Sequence, residues 1–77
     1  MNKLPKYKIG SVLNFHSERY VITNIKYNTY GRDFIYFDKD AYGRERTLFW
    51  EKDITFFINQ NKLKISFDEN LVCKKIK

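Results

Sequence analysis

The sequence predicts an all-β fold, a small barrel of five to seven short antiparallel strands. Aromatic residues form 18% of the chain and, with Ile, Val and Thr, favour a half-buried pleated sheet. Alanine, the strongest helix former, occurs only as Ala41. Turn residues interrupt short apolar runs along all 77 residues, a pattern typical of small barrels. One domain, residues 1–77 with short basic tails at both ends, follows from these observations.

The first half of the chain contains three predicted strands, each a short apolar run bounded by turn residues: 12–15, 20–25 and 34–37. The polar segment 16–19 is short enough to be a hairpin loop. Residues 27–31 connect the second and third strands, and Gly31 is available there for a positive φ. The segment 20–25 is the most strand-like in the chain because it is β-favouring throughout.

The second half is predicted to continue the sheet. Asp and Gly residues in 38–43 predict a turn before a fourth strand at 47–50. The segment 54–58 is either a strand or, with its neighbours over 51–57, one short helical turn. Residues 63–67 alternate apolar and polar side chains and predict a strand. A final strand is predicted at 71–73, before the basic tail.

The charge balance indicates attraction to polyanions. Fifteen basic and nine acidic side chains give a net charge of +6, which implies solubility and affinity for anionic surfaces. Eleven of the basic residues are Lys, an ordinary surface residue. The abundance of Lys, Asn and Ile is also expected from an AT-rich genome such as many bacteriophages carry. The excess of Lys therefore reflects either binding to polyanions or the base composition of the genome, and the sequence leaves both explanations open.

The sequence predicts a cytoplasmic protein. A single cysteine, Cys73, has no partner for an intramolecular disulfide, which indicates a reducing compartment. The N-terminus lacks the apolar run of a signal peptide, and no segment approaches the ~18 apolar residues of a membrane span. We therefore expect no membrane partner.

The triplet Tyr-Gly-Arg occurs twice, at 30–32 and at 42–44. Arginine forms forked hydrogen bonds with phosphates, and tyrosine stacks on unpaired bases. If 34–37 and 47–50 are antiparallel neighbours, however, the triplets lie at opposite ends of the sheet and do not clamp one phosphate together. The alternative is turn chemistry, with each arginine solvated or paired with Asp33 or Glu45.

The preferred binding surface in the sequence is the segment around the second triplet, with Trp50 expected nearby. Arg44 and Arg46 share the same parity on a strand and would point in one direction. The alternative is a solvated hairpin with Trp50 in the core. The complete set of predicted nucleic-acid-binding residues is Tyr30, Arg32, Tyr42, Arg44, Arg46, Lys74 and Lys75.

Catalysis and metal binding have little support in the sequence. His16 and Glu18 flank Ser17 within one short loop, whereas catalytic partners usually converge from distant segments. The acids Asp38 and Asp40 are not followed by the further ligands of a calcium loop. We expect no enzyme activity, no metal and no cofactor.

Two segments, YKIGSVL at 7–13 and YVITNI at 20–25, resemble the opening hairpin of SH3-like small β-barrels, which include the KOW domains. The resemblance covers residues 7–58 and implies a strongly bent five-stranded sheet whose loops bind ligands. KOW domains contact RNA through a glycine-rich first loop. The corresponding loop here, 15–19, has no glycine and one acid, so the resemblance implies the fold but not that RNA contact.

Two functional hypotheses follow. The first is a small nucleic-acid-binding accessory protein for RNA or single-stranded DNA, consistent with a phage origin. The second is a protein-interaction module, such as a phage factor that binds and inhibits a host protein, because Tyr, Trp and Arg are the usual anchors of protein interfaces. A monomer and a homodimer are both compatible with the sequence.

Overall fold

The structure, a computed structural model, describes residues 4–67. Within this range the chain forms two antiparallel three-stranded sheets and a short helix, so the fold is mostly β and is compatible with the all-β prediction. The first sheet has the strand order β2-β1-β6 and the second has the order β3-β4-β5. The elements are β1 (Ser11–Phe15), β2 (Glu18–Val21), β3 (Asn24–Asn28), β4 (Asp33–Lys39), β5 (Glu45–Trp50), α1 (Glu51–Asn59) and β6 (Leu63–Phe67). The strand predicted at 71–73 and the residues Cys73, Lys74 and Lys75 lie outside the described residues.

A two-residue turn joins β1 and β2. His16 and Ser17 have φ values of 52° and 67°, the positive φ that a type I′ hairpin turn requires at both central positions. The twist of this turn matches the right-handed twist of the flanking strands. The hairpin is therefore tighter than the predicted loop 16–19, and Glu18 and Arg19 belong to β2.

The predicted strand 20–25 is divided between the two sheets. The N–H of Ile22 donates to the carbonyl of Ser11 in the first sheet (2.9 Å), while the N–H of Thr23 donates to the carbonyl of Phe37 in the second (2.8 Å). The single-strand prediction was wrong because both halves favour β structure and neither glycine nor proline marks the bend. Ile22 is fully buried at this junction, which fixes the bend against the core.

The ambiguous segment 54–58 lies in a nine-residue helix, α1, which packs against β4, β5 and β6. Ile54 is its buried anchor. Asp33 of β4 accepts a hydrogen bond from the N–H of Lys52 (3.0 Å) and so satisfies one of the free amides of the first turn. The helix ends in a Schellman motif, in which Asn61 has a φ of 60° and the N–H of Lys62 donates to the carbonyl of Phe57 (2.9 Å).

The core lies between the sheets and the helix and is formed by five buried side chains: Leu13, Ile22, Tyr36, Ile54 and Leu63. Tyr36 also carries a polar group into this core. Its hydroxyl donates to Oε1 of Glu51 (2.7 Å) and accepts from the N–H of Tyr7 (3.3 Å). Burial and the Glu51 carboxylate raise the pKa of Tyr36 above its usual range. These bonds attach the N-terminal segment to the start of α1.

Candidate functional site

The two Tyr-Gly-Arg triplets lie at opposite ends of the second sheet. The first triplet, 30–32, directly precedes β4, and the second, 42–44, lies in the turn between β4 and β5. β4 has seven residues, so its ends are separated by roughly 20 Å at about 3.3 Å per residue. The structure agrees with the expectation that the triplets do not form one phosphate clamp.

The second triplet belongs to a turn organised by Asp40. Its Oδ1 accepts hydrogen bonds from the N–H groups of Tyr42 (2.8 Å) and Arg44 (2.9 Å), and its Oδ2 accepts from Nε of Arg44 (3.1 Å). These hydrogen bonds, first that of the Arg44 amide, lower the pKa of the Asp40 carboxyl. Gly43 has a φ of 82°, a conformation that favours glycine. We call residues 40–44 the hairpin tip.

Carboxylates neutralise both arginines near the hairpin tip. Arg44 pairs with Asp40 and lies over the ring of Tyr42, with its Cζ 5.1 Å from the ring centroid. Arg46 forms a fork with Asp38 through Nε (3.1 Å) and Nη2 (2.8 Å), and this contact raises the pKa of Arg46. For the triplet arginine Arg44 the partner is Asp40, and not Asp33 or Glu45 as the turn alternative offered. Each guanidinium is therefore partly occupied before any ligand arrives.

Trp50 does not lie beside the hairpin tip, contrary to the expectation. In the β4–β5 ladder Trp50 pairs with Ile35, whereas Glu45 at the other end of β5 pairs with Lys39. The indole instead packs on Gly31, where an added Cβ would lie only 2.7 Å from its Cη2 atom. Trp50 thus belongs with the first triplet.

The first triplet is the more open of the two. The Tyr30 side chain is 99% exposed. Arg32 is exposed and makes no ion pair within residues 4–67. Beside them, Nζ of Lys52 lies 5.5 Å from the centroid of the Trp50 ring. We call Tyr30, Arg32, Trp50 and Lys52 the Tyr30 surface.

The backbone of the first triplet also differs from the expectation. Gly31 does not have a positive φ; Arg32 does, at 55°. The N–H of Gly31 donates to Oδ1 of Asn28 (2.6 Å), which closes the turn. Sequence reasoning missed Trp50 and Lys52 as neighbours of this triplet, because their proximity depends on the Gly31 contact and on the Asp33 bond to the helix.

Among residues 4–67, no group of three His, Cys, Asp or Glu side chains is arranged to hold a metal ion. Within the same range, no helix has the length or the apolarity needed to cross a bilayer. Comparison of the chain with protein-family models, with curated proteins and with solved structures finds no significant match.

Proposed function

We propose that the protein is a non-enzymatic binding protein for single-stranded nucleic acid, RNA or DNA, and that the Tyr30 surface is its contact site. The observation that carries the proposal is Arg32, an exposed guanidinium without an ion-pair partner in residues 4–67, beside a fully exposed tyrosine. A free guanidinium forks onto phosphate oxygens, and an exposed phenol ring stacks on an unpaired base.

The backbone conformation of Arg32 supports this proposal. A residue with a side chain loses roughly 1 kcal/mol in the left-handed region, and Gly or Asn would occupy it at lower cost. Such outliers concentrate at functional sites, where the conformation aims a side chain. Here the conformation belongs to Arg32, which, unlike Arg44, pairs with no carboxylate among residues 4–67.

Trp50 and Lys52 add to the same surface. Trp50 supplies a second aromatic ring, which is partly buried, and Lys52 supplies a second cation close to it. The amide of Lys52 already engages the Asp33 carboxylate, so this nearby acid is hydrogen-bonded to the helix. The combination of aromatic rings and cations suits a nucleic-acid strand with exposed bases.

The other predicted residues have a secondary role in this proposal. Tyr42, Arg44 and Arg46 lie roughly 20 Å away and would meet only a strand that follows the sheet. Lys74 and Lys75, outside the described residues, would add unspecific attraction to phosphates.

We also propose that the scaffold is an SH3-like barrel. The bend at residues 22–23, which carries one chain segment from the first sheet into the second, supports this interpretation. The helix between the last strand of the second sheet and β6 of the first is compatible with it.

The proposal is tested by fluorescence anisotropy with labelled uridine and thymidine oligonucleotides of about 16 residues. The wild type should bind both at about 50 mM salt and lose affinity steeply towards about 200 mM. Tyr30→Ala should weaken binding by roughly 1–3 kcal/mol, about fivefold to 150-fold, because one stacked base is lost. A duplex of the same length should bind more weakly, because its bases are not free to stack.

Arg32→Asn separates binding from folding. Asparagine tolerates the left-handed region, so this variant should be at least as stable as the wild type in thermal unfolding. It should nevertheless bind more weakly, with a salt dependence reduced by roughly 0.7 in the logarithmic slope for one lost phosphate contact. If Tyr30→Ala and Arg32→Asn bind like the wild type and Tyr42→Ala loses binding, the contact site is the hairpin tip and not the Tyr30 surface.

A protein partner is the second candidate function, and the hairpin tip favours it. Tyr42 is 83% exposed, lies against Arg44, and is held by a turn in which the charges balance. Rigid tyrosine and arginine side chains are typical anchors of protein interfaces. Two results together would support this candidate. The protein should not bind the oligonucleotides at about 50 mM salt. It should instead form a complex with a protein partner that can be purified, and Tyr42→Ala should dissociate that complex.

A further inference from the structure

Positive charge is distributed unevenly over the fold. Residues 22–59, which include the second sheet and α1, contain six basic and six acidic side chains. The rest of the described chain, 4–21 and 60–67, supplies the three strands of the first sheet and contains one acid, Glu18. Its five basic residues are Lys6, Lys8, Arg19, Lys62 and Lys64. The whole net charge of +4 in residues 4–67 therefore belongs to these two segments of the chain.

Two of these cations are aligned across the first sheet. Asn14 in the central strand β1 lies directly opposite Arg19 of β2 and Lys64 of β6. Directly opposite residues project from the same face of a sheet, and all three side chains are exposed. The neighbours Leu13 and Phe15 alternate to the other face, towards the core. We call Asn14, Arg19 and Lys64 the basic face.

No carboxylate compensates this row within residues 4–67. Glu18 precedes Arg19 in β2 and so projects to the opposite face. The ion-paired acids, Asp38, Asp40 and Glu45, all belong to the second sheet or its hairpin tip. Glu51 accepts hydrogen bonds from the Lys6 amide and the Tyr36 hydroxyl at the start of α1. Within the described part of the chain Arg19 and Lys64 thus have no ion-pair partner, and they lie about two strand spacings or roughly 10 Å apart.

We infer that the basic face binds the sugar–phosphate backbone of a nucleic acid. Two cations without an ion-pair partner in residues 4–67 lie on the strands that flank β1, with the Asn14 amide between them. The three side chains provide a row of donor groups for phosphate oxygens. Aromatic side chains do not belong to this face, so the contact is with the backbone and carries no base preference. The inference rests on the proposed function and extends it, with the Tyr30 surface contacting bases and the basic face holding the strand.

The experiment compares two double variants that remove the same charge. Arg19→Gln with Lys64→Gln alters the basic face, whereas Lys26→Gln with Lys39→Gln alters exposed lysines of the second sheet. Binding of the uridine and thymidine oligonucleotides is measured between about 50 mM and 200 mM salt. In the basic-face variant the slope of log affinity against log salt should be smaller in magnitude by about 1.4. The loss of affinity between the two salt concentrations should therefore be about sevenfold smaller than for the wild type. The second-sheet variant should keep the wild-type slope.

The outcomes separate this inference from the function it rests on. Equal salt slopes for the wild type and both variants would overturn the inference about the basic face. The proposed function would still stand if the wild type binds the oligonucleotides and Tyr30→Ala loses this binding. Equal reductions in both variants would also overturn it, because net charge alone would then explain the change. Binding of the wild type to phosphatidylserine–phosphatidylcholine vesicles but to no oligonucleotide would overturn both. Thermal unfolding of each variant verifies that the folded state is intact.

Discussion

The two glycines of the repeated triplets are required for different physical reasons. Gly43 has a φ of 82° and open space around its Cα, so backbone conformation alone favours glycine there. Gly31 has an ordinary φ, but its Cα lies against the indole of Trp50, so space alone favours glycine. The same three letters therefore describe a tight turn in one place and a backbone–indole contact in the other.

Alanine substitutions should distinguish these two roles. Gly31→Ala should destabilise the fold by about 1–3 kcal/mol through overpacking and should shift the fluorescence of Trp50, the only tryptophan. Gly43→Ala is the matched control and should cost about 1 kcal/mol through backbone strain, with the fluorescence unchanged. Thermal unfolding and emission spectra of both variants provide the measurement. An unshifted Trp50 spectrum in Gly31→Ala would contradict the close contact.

At the scale of elements, the sequence predicted the strands and turns that are encoded by a pattern of a few consecutive residues. The alternation over 63–67 identified β6 correctly. The Asp and Gly residues of 38–43 identified the hairpin turn, although residues 38 and 39 belong to β4. The helical alternative for 54–58 is settled by packing, because Ile54 enters the core and Asp33 satisfies the Lys52 amide. Division of the strand 20–25 was not predictable, since its hydrogen bonds run to two distant segments.

The candidate site was predictable to a smaller extent than the fold. The residue types of both triplets and their separation across the sheet followed from the sequence. The pairing of Arg46 with Asp38 did not, because the two residues become neighbours only through the β4–β5 register. The same holds for the basic face, because Lys64 of β6 is distant in sequence from Asn14 and Arg19 and joins them only through the β1–β6 register.

The β4–β5 hairpin should respond to acid through Asp40. Its folded-state pKa is below the ordinary value of 3.8, so its stabilising contribution is present above that value and is lost as the pH falls through the lower folded-state pKa. Asp40→Asn should lower the melting temperature at about pH 6, and the difference from the wild type should shrink towards about pH 2. A difference that stays constant with pH in thermal unfolding would exclude the carboxylate charge as the cause.

At the scale of the whole molecule, Tyr36 joins segments that are far apart in sequence. Its hydroxyl contacts Glu51 at the start of α1 and the amide of Tyr7, while Glu51 also accepts from the amide of Lys6. The ring of Tyr7 meets that of Tyr36 edge to face, with 5.8 Å between centroids. One buried phenol therefore holds the N-terminal segment, β4 and the helix together.

Removal of this hydroxyl should destabilise the whole domain. Tyr36→Phe leaves the Tyr7 amide and part of the Glu51 carboxylate without a partner, at a cost of about 1–3 kcal/mol. For a domain of this size, each kcal/mol lowers the melting temperature by about 4–8 °C. Tyr27→Phe removes an exposed hydroxyl from β3 and should leave the melting temperature unchanged. Equal melting temperatures for Tyr36→Phe and the wild type would show that the buried bonds contribute nothing net.

The junction at Ile22 and Thr23 has a consequence for any ligand that touches both sheets. One peptide bond joins residues that are hydrogen-bonded to different sheets, and the side chain of Ile22 is locked in the interior. Independent rotation of the sheets would break these bonds, so the distance from Arg19 to Tyr30 is set by the scaffold. Oligonucleotides too short to bridge that distance would contact either the basic face or the Tyr30 surface. Affinity would rise in a step once the oligonucleotide is long enough to contact both.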